Sequence, residues 1–163
     1  MISKLERYSE NTGELLKSVE VTDSSGHPIG QSESIQRVID SLEEVRHAGG
    51  KNIFIGNGGS AAIASHMSID YSKNGRLPSQ VFNDGAALTC LGNDLGYENV
   101  FSRQLKGIGN KGDVLIAIST SGKSENIIEA INAAKKLNIK TIGVTGNNGG
   151  DMSNICDILI KVP

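Results

Sequence analysis

The sequence predicts an α/β fold in which a parallel sheet is covered by helices on both faces. Three observations lead to it. From residue 52 onward, short and nearly continuous apolar runs alternate with helical patterns, as strands buried on both faces require. Two turns rich in glycine and hydroxyl residues, Gly56-Asn57-Gly58-Gly59-Ser60 and Ser119-Thr120-Ser121-Gly122-Lys123-Ser124, each follow such a run and precede a helix. The 163 residues, 37% of them hydrophobic, suffice for one globular domain with a modest core.

Two helical patterns come first. Leu5, Tyr8, Thr12, Leu15, Leu16 and Val19 recur at helical spacing, as do Ile35, Val38, Ile39, Leu42 and Val45. Between them, Thr22 to Gly30 is rich in turn residues and reads as a loop. Five strands are expected near 52–56, 79–82, 113–118, 140–145 and 157–162, with helices near 60–73, 86–93, 97–106 and 124–137. In the last helix Ser124 is placed to cap, while Ile127, Ile128, Ile131 and Leu137 line one face. Residues 1–50 therefore read as an N-terminal helical segment and 51–163 as the α/β domain. The amphipathic helices of the first segment can fold back on the sheet or present an apolar stripe to another subunit.

Composition excludes several classes. Charges of both signs are interspersed, the formal net charge is -2, and three Tyr and three Phe are the only aromatics, so nothing favours nucleic acid. The charged start, Met1-Ile2-Ser3-Lys4-Leu5-Glu6-Arg7, has no apolar stretch of signal-peptide or membrane-span length, and a cytoplasmic protein is expected. Cys90 and Cys156 lack metal-ligand spacing and stand among apolar neighbours, which reads as two buried thiols. His27 falls in the turn-rich stretch and His47 near a helix end, where a cation suits the dipole, so both read as structural or solvent-facing.

The two turns carry the chemistry. A turn leading from a strand into a helix aims backbone N–H groups and hydroxyls at one point, where an anion such as a phosphate is stabilised. Ligands of parallel sheets bind beyond the C-terminal strand ends, where both turns fall. Gly122-Lys123-Ser124 looks like the end of a P-loop, but that pattern needs glycine where Ala117 stands. Gly56-Asn57-Gly58-Gly59-Ser60-Ala61 satisfies G-x-G-x-x-G/A, with Asp84 after the next strand as a candidate ribose ligand. Dinucleotide binding, however, leaves the second turn without a task, whereas a small phosphorylated ligand held between the turns uses both. In Asn83-Asp84-Gly85 the aspartate also suits an ordinary turn.

Six segments, in order and at compatible spacing, resemble the sugar isomerase (SIS) domain family, and within it the bacterial phosphoheptose isomerases. They are Gly56-Asn57-Gly58-Gly59-Ser60, Gly92 to Asn99, Phe101-Ser102-Arg103, Gly112-Asp113-Val114, Ile118 to Gly122 and Thr145-Gly146. The resemblance implies a flavodoxin-like five-stranded sheet with phosphate held by Ser119, Thr120, Ser121 and Ser124. It implies sugar contacts from Asn57, Gly58, Gly59 and Ser60, with Asp94 near the same place. It further implies that His66 and Asp70, four apart on one helix face, contribute to a zinc site and to proton transfer. The implied activity is aldose-ketose isomerisation of sedoheptulose 7-phosphate to a heptose 7-phosphate for surface polysaccharide such as lipopolysaccharide, in a homo-oligomer, dimer or tetramer, whose N-terminal helices assemble it. Two departures stand out. Asp70 occupies a position that is glutamate in the family, and the sequence ends at Pro163, without matches to the glutamine and histidine of the family's further C-terminal helix. The alternative is a non-catalytic phosphosugar-binding module, which needs neither Asp70 nor metal.

Overall fold

Five apolar runs become five parallel strands, and a sixth and seventh strand extend the sheet. In this computed structural model, which describes residues 3–146 and 148–163, helix α1 (Lys4–Lys17) is followed by β1 (Glu20–Asp23), β2 (Pro28–Ile29) and α2 (Gln31–His47). Then come β3 (Asn52–Gly56), α3 (Gly59–Lys73), β4 (Ser79–Val81), α4 (Gly85–Leu95), a 3-10 turn over Tyr97–Asn99 and α5 (Val100–Ile108). The chain closes with β5 (Val114–Ser119), α6 (Glu125–Lys136), β6 (Lys140–Gly146), a second 3-10 turn (Gly150–Asn154) and β7 (Ile158–Val162). Met1 and Ile2 of the charged start lie outside the described residues. No helix among those described is long and apolar enough to cross a membrane.

The sheet runs β2-β1-β7-β6-β5-β3-β4. Its five parallel strands stand in the order β4-β3-β5-β6-β7, the flavodoxin-like arrangement in which the chain reverses direction between β3 and β5. The expectation of five strands is corrected to seven. Thr22 to Gly30 is not all loop but a hairpin, with Val21 opposite Ile29, and β1 pairs antiparallel along β7 from Glu20↔Lys161 to Asp23↔Ile158. At the hairpin turn the amides of His27 and Ser25 donate to the Asp23 carboxylate and hold its pKa below the ordinary carboxylate value. The N-terminal 50 residues are thus helical at both ends and stranded in between.

Side chains alternate along each strand, and the two faces bury separate cores. Ile53 and Ile55 of β3, with Leu115 and Ala117 of β5, pack with Phe101, Leu105, Ile127 and Ile131. Phe54, Val114 and Ile116 point to the other face, with Val45, Ala64, Ile142 and Ile158. Phe54 meets Tyr71 edge to face, ring centroids 5.1 Å apart. The predicted face of α6 is confirmed, since Ile127 and Ile131 are fully buried and Ile128 and Leu137 pack against the same core. Helix α1 opens with a capping box, Ser3 Oγ accepting from the Glu6 amide and Glu6 accepting from the Ser3 amide, yet it buries no residue.

The cysteine reading needs one correction. Both thiols are free, but only Cys156 is buried, its pKa pushed up to about 12 chiefly by burial. Cys90 is exposed on α4, because helical periodicity turns Leu88 and Leu91 inward and leaves Cys90 between them facing out. His27 and His47 are exposed as expected, with His47 Nδ1 3.0 Å from the Glu43 carbonyl on its own helix.

Candidate phosphosugar site

At the C-terminal end of β3 the chain turns into α3 through backbone that side chains would obstruct. A Cβ on Gly56 would lie 2.6 Å from the Ser60 carbonyl oxygen, and Gly58 has φ +54°, ψ −119°, a conformation suited to glycine. The Ser60 amide bonds to the Asn57 carbonyl at 3.0 Å, and no side chain caps the start of α3. Gly58 and Gly59 are exposed, so backbone rather than side chain faces any ligand there.

The second turn leaves β5, the next strand in the sheet, with Gly56 opposite Ile118. Gly122, at φ +64°, is pressed against the loop after β6, where an added Cβ would meet the Gly149 carbonyl oxygen at 2.0 Å. The Gly122 carbonyl in turn accepts from the amides of Asp151 and Met152, and the Thr120 carbonyl from that of Gly146. This bracing fixes the turn from behind. Ser119 is buried, and its Oγ lies 3.1 Å from Ser124 Oγ. Thr120 and Ser121 are exposed, with Ser121 Oγ accepting from the Lys123 amide.

Ser124 corrects one expectation. It stands at the N-cap position of α6 but makes no side-chain cap bond, its hydroxyl being turned to Ser119. The Ile127 amide bonds back to the Ser124 carbonyl at 3.0 Å, but the Glu125 and Asn126 amides before it have no intrahelical acceptor and, with the hydroxyl pair, suit an outside anion. Asp84 is different: it caps α4 by accepting from the Ala87 amide at 2.8 Å, the ordinary turn role.

The two turns are joined by a residue that the sequence reading missed. Asn126, in the first turn of α6, is buried, and its amide pairs reciprocally with that of Asn57. Asn57 Nδ2 donates to Asn126 Oδ1 at 2.8 Å, and Asn126 Nδ2 donates to Asn57 Oδ1 at 2.9 Å. The Tyr97 hydroxyl adds a third bond to Asn57 Oδ1 at 3.2 Å. Asn83 was also unassigned in this role: its Nδ2 donates to the Ala61 carbonyl and to Ser65 Oγ, tying the chain after β4 to α3. A cavity of about 230 Å³ beside the first turn is lined by Asn57, Ser65, Asn83, Leu88, Tyr97 and Phe101, among others.

His66 and Asp70 do share one face of α3, with Nε2 3.3 Å from Oδ2. Asn74 Nδ2 approaches the other carboxylate oxygen at 3.3 Å. The pair is largely exposed, and at a rise of about 1.5 Å per residue it lies roughly 10 and 16 Å along α3 from Gly59. The structure does not bring the pair into contact with either turn. Asp94 is exposed near the end of α4, accepting from Asn93 Nδ2 at 2.8 Å with Cys90 Sγ 3.6 Å away. Catalytic zinc takes three protein ligands. His66 and Asp70 are two, and no group of three or more His, Cys, Asp or Glu able to hold a metal occurs among the described residues. The pair alone does not make a zinc site.

Fold and turns together define an α/β protein with an uncapped, hydroxyl-rich helix start at the C-terminal edge of a parallel sheet. The chain belongs to the SIS domain family, which matches residues 7–146. It is 44% identical over 136 residues to the phosphoheptose isomerase of Burkholderia pseudomallei strain 1710b, covering 80% of this chain and 69% of that protein. Among solved structures it resembles a phosphoheptose isomerase from Francisella tularensis, at 28% identity and a TM-score of 0.80, with 99% of this chain and 87% of that one aligned. The phosphoheptose isomerase of Neisseria gonorrhoeae matches at 31% identity and a TM-score of 0.72, over 99% of this chain and 86% of its own.

Proposed function

We infer that the protein is a phosphosugar aldose-ketose isomerase that interconverts sedoheptulose 7-phosphate and a heptose 7-phosphate for heptose biosynthesis. The observation that carries this reading is the uncapped start of α6, where the Ser119–Ser124 hydroxyl pair and free first-turn amides suit a dianionic phosphate. The relatives supply the reaction, since the phosphoheptose isomerases match most of the chain.

The chemistry needs a base to take a proton from C1, next to the C2 carbonyl, and return it to C2, while the C1 hydroxyl proton passes to the C2 oxygen. The enediolate between these steps needs its charge stabilised. Phosphate and reacting carbons are at opposite ends of this substrate, so the proton-transfer role is assigned to the His66–Asp70 pair of α3 and not to the serine turn. In this reading Asp70 is the base and His66 its hydrogen-bonded partner. Ser119, Thr120, Ser121 and Ser124 hold phosphate; Asn57, Gly58, Gly59 and Ser60 lie along the sugar, with Asp94 beyond. No step is routed through zinc, for which the donors at hand are too few. Finer features of the reading are lipopolysaccharide heptose as the end use and a cytoplasmic setting, the latter supported by two free thiols.

The test is deuterium incorporation from heavy water into sedoheptulose 7-phosphate, followed by NMR. Exchange with a new aldose signal is expected, and binding without exchange would favour the phosphosugar-binding module instead.

We also propose that the chain self-associates through residues 1–50. Leu5, Tyr8 and Leu16 of α1 and Ile35 of α2 are each more than 60% exposed, an apolar surface that a second copy would cover. Sedimentation velocity at micromolar concentration should show dimer or tetramer; monomer alone would end this proposal.

A further inference from the structure

We propose that Asn126 is a positioning residue of the isomerase site, holding the phosphate-binding turn and the sugar-side turn at a fixed spacing. The proposal rests on the isomerase reading above. Its basis is that one residue belongs to both halves of the site. The Asn126 backbone N–H lies in the first turn of α6, among the amides that have no intrahelical acceptor and that the isomerase reading gives to the phosphate. Its side chain reaches the other turn, where, 69 residues away in sequence, it forms two hydrogen bonds with Asn57.

The pairing is closed on itself. Asn126 uses its carbonyl oxygen and one N–H on Asn57, and is only 3% exposed, so no ligand competes for it. Asn57 Oδ1 accepts from both Asn126 and Tyr97 while Nδ2 donates to Asn126, which leaves one N–H of Asn57 for a ligand. The β3–β5 pairing already sets the strands side by side, but the turns beyond Gly56 and Ser119 have no backbone ladder between them. The amide pair is the direct side-chain bond across that gap. A phosphosugar gripped at its phosphate reaches its reacting geometry only if the other turn is held in register, and a displacement of about 1 Å can cost on the order of a hundredfold in rate.

The experiment compares the unsubstituted protein with Asn126→Leu, which keeps the branched shape and removes both bonds, and with Asn126→Asp. Aspartate is isosteric, can keep the bond from Asn57 Nδ2 and sets an oxygen against Asn57 Oδ1. Three quantities are read: kcat for exchange into sedoheptulose 7-phosphate, the inhibition constant of inorganic phosphate, and Tm. The expected result is a fall in kcat of about a hundredfold in Asn126→Leu and a smaller fall in Asn126→Asp, with phosphate inhibition unchanged in both. Unchanged kcat in either variant would overturn the proposal. So would a parallel loss of phosphate inhibition, which would make Asn126 part of the anion site's own framework. If Asn126→Leu does not fold, Asn126→Asp alone gives the same decision. Absence of exchange in the unsubstituted protein would strike the isomerase reading itself, whereas exchange there with no loss in the variants would strike only the bridge.

Discussion

Asp70→Ala is expected to slow exchange at C1 of sedoheptulose 7-phosphate by about 10²–10⁴-fold, the usual contribution of a positioned general base. Inorganic phosphate should inhibit the variant as well as it inhibits the unsubstituted protein, because Ser119 and Ser124 lie at the other end of the proposed ligand. The split is diagnostic: a residue that acts only on proton transfer lowers kcat without loosening the anion. The Asp70 carboxylate is engaged on both oxygens, by His66 Nε2 at 3.3 Å and by Asn74 Nδ2 at 3.3 Å, so its orientation along α3 is defined although it is part-exposed. It is one methylene shorter than the glutamate of the family resemblance. Asp70→Glu should therefore retain exchange where Asp70→Ala does not, and equal turnover in Asp70→Ala and the unsubstituted protein would remove Asp70 from the mechanism.

The largest effect on stability is expected at the opposite end of the sheet. Asp113, its side chain 1% exposed, accepts from Lys51 Nζ at 2.7 Å, the Lys51 amide at 2.9 Å and the Asn110 amide at 2.8 Å. Asp113→Ala leaves a cation and two backbone donors without this acceptor. Removing one partner of a buried pair costs about 3–5 kcal/mol, and the lower end applies because Lys51 keeps some access to water. For a domain of this size, about 3 kcal/mol corresponds to a fall in Tm of roughly 6–12 °C, measurable by calorimetry. Asp113 precedes β5 while the ligand turn follows it, six strand residues or about 20 Å away, so activity per folded molecule should be unchanged. A variant as stable as the unsubstituted protein would show that water replaces the carboxylate without cost.

Much of this was legible in the sequence. The runs at β3 and β5 are almost continuously apolar, and those at β6 and β7 are rich in Ile, Val and Leu, so strand identity and the parallel sheet follow without tertiary information. The two turns are legible because glycine at 58 and 122 answers a local backbone demand, positive φ. The hairpin of β1 and β2 was not. Its second strand has two residues, one of them Pro28, and its first is held by β7, more than a hundred residues later in the chain. Cys90 was misjudged from its neighbours' polarity, when its phase on α4 decided its exposure. Asn126 gave no local signal, since an asparagine in a helix's first turn is ordinary until Asn57 is seen opposite. His66 and Asp70 could be paired from their spacing, whereas their distance from the turns depends on the course of α3.

The hairpin's attachment to β7 has a consequence for how the molecule behaves at high concentration. Without it, five-residue β7 would present an unpaired row of amides and carbonyls, the template on which sheets add to one another. With it, the outer rims are β2, two residues beginning at Pro28, and β4, three residues preceded by Pro78. Strands this short, each begun or preceded by a residue that cannot donate, offer a neighbouring molecule little to propagate. The protein therefore carries its own guard against fibrous stacking.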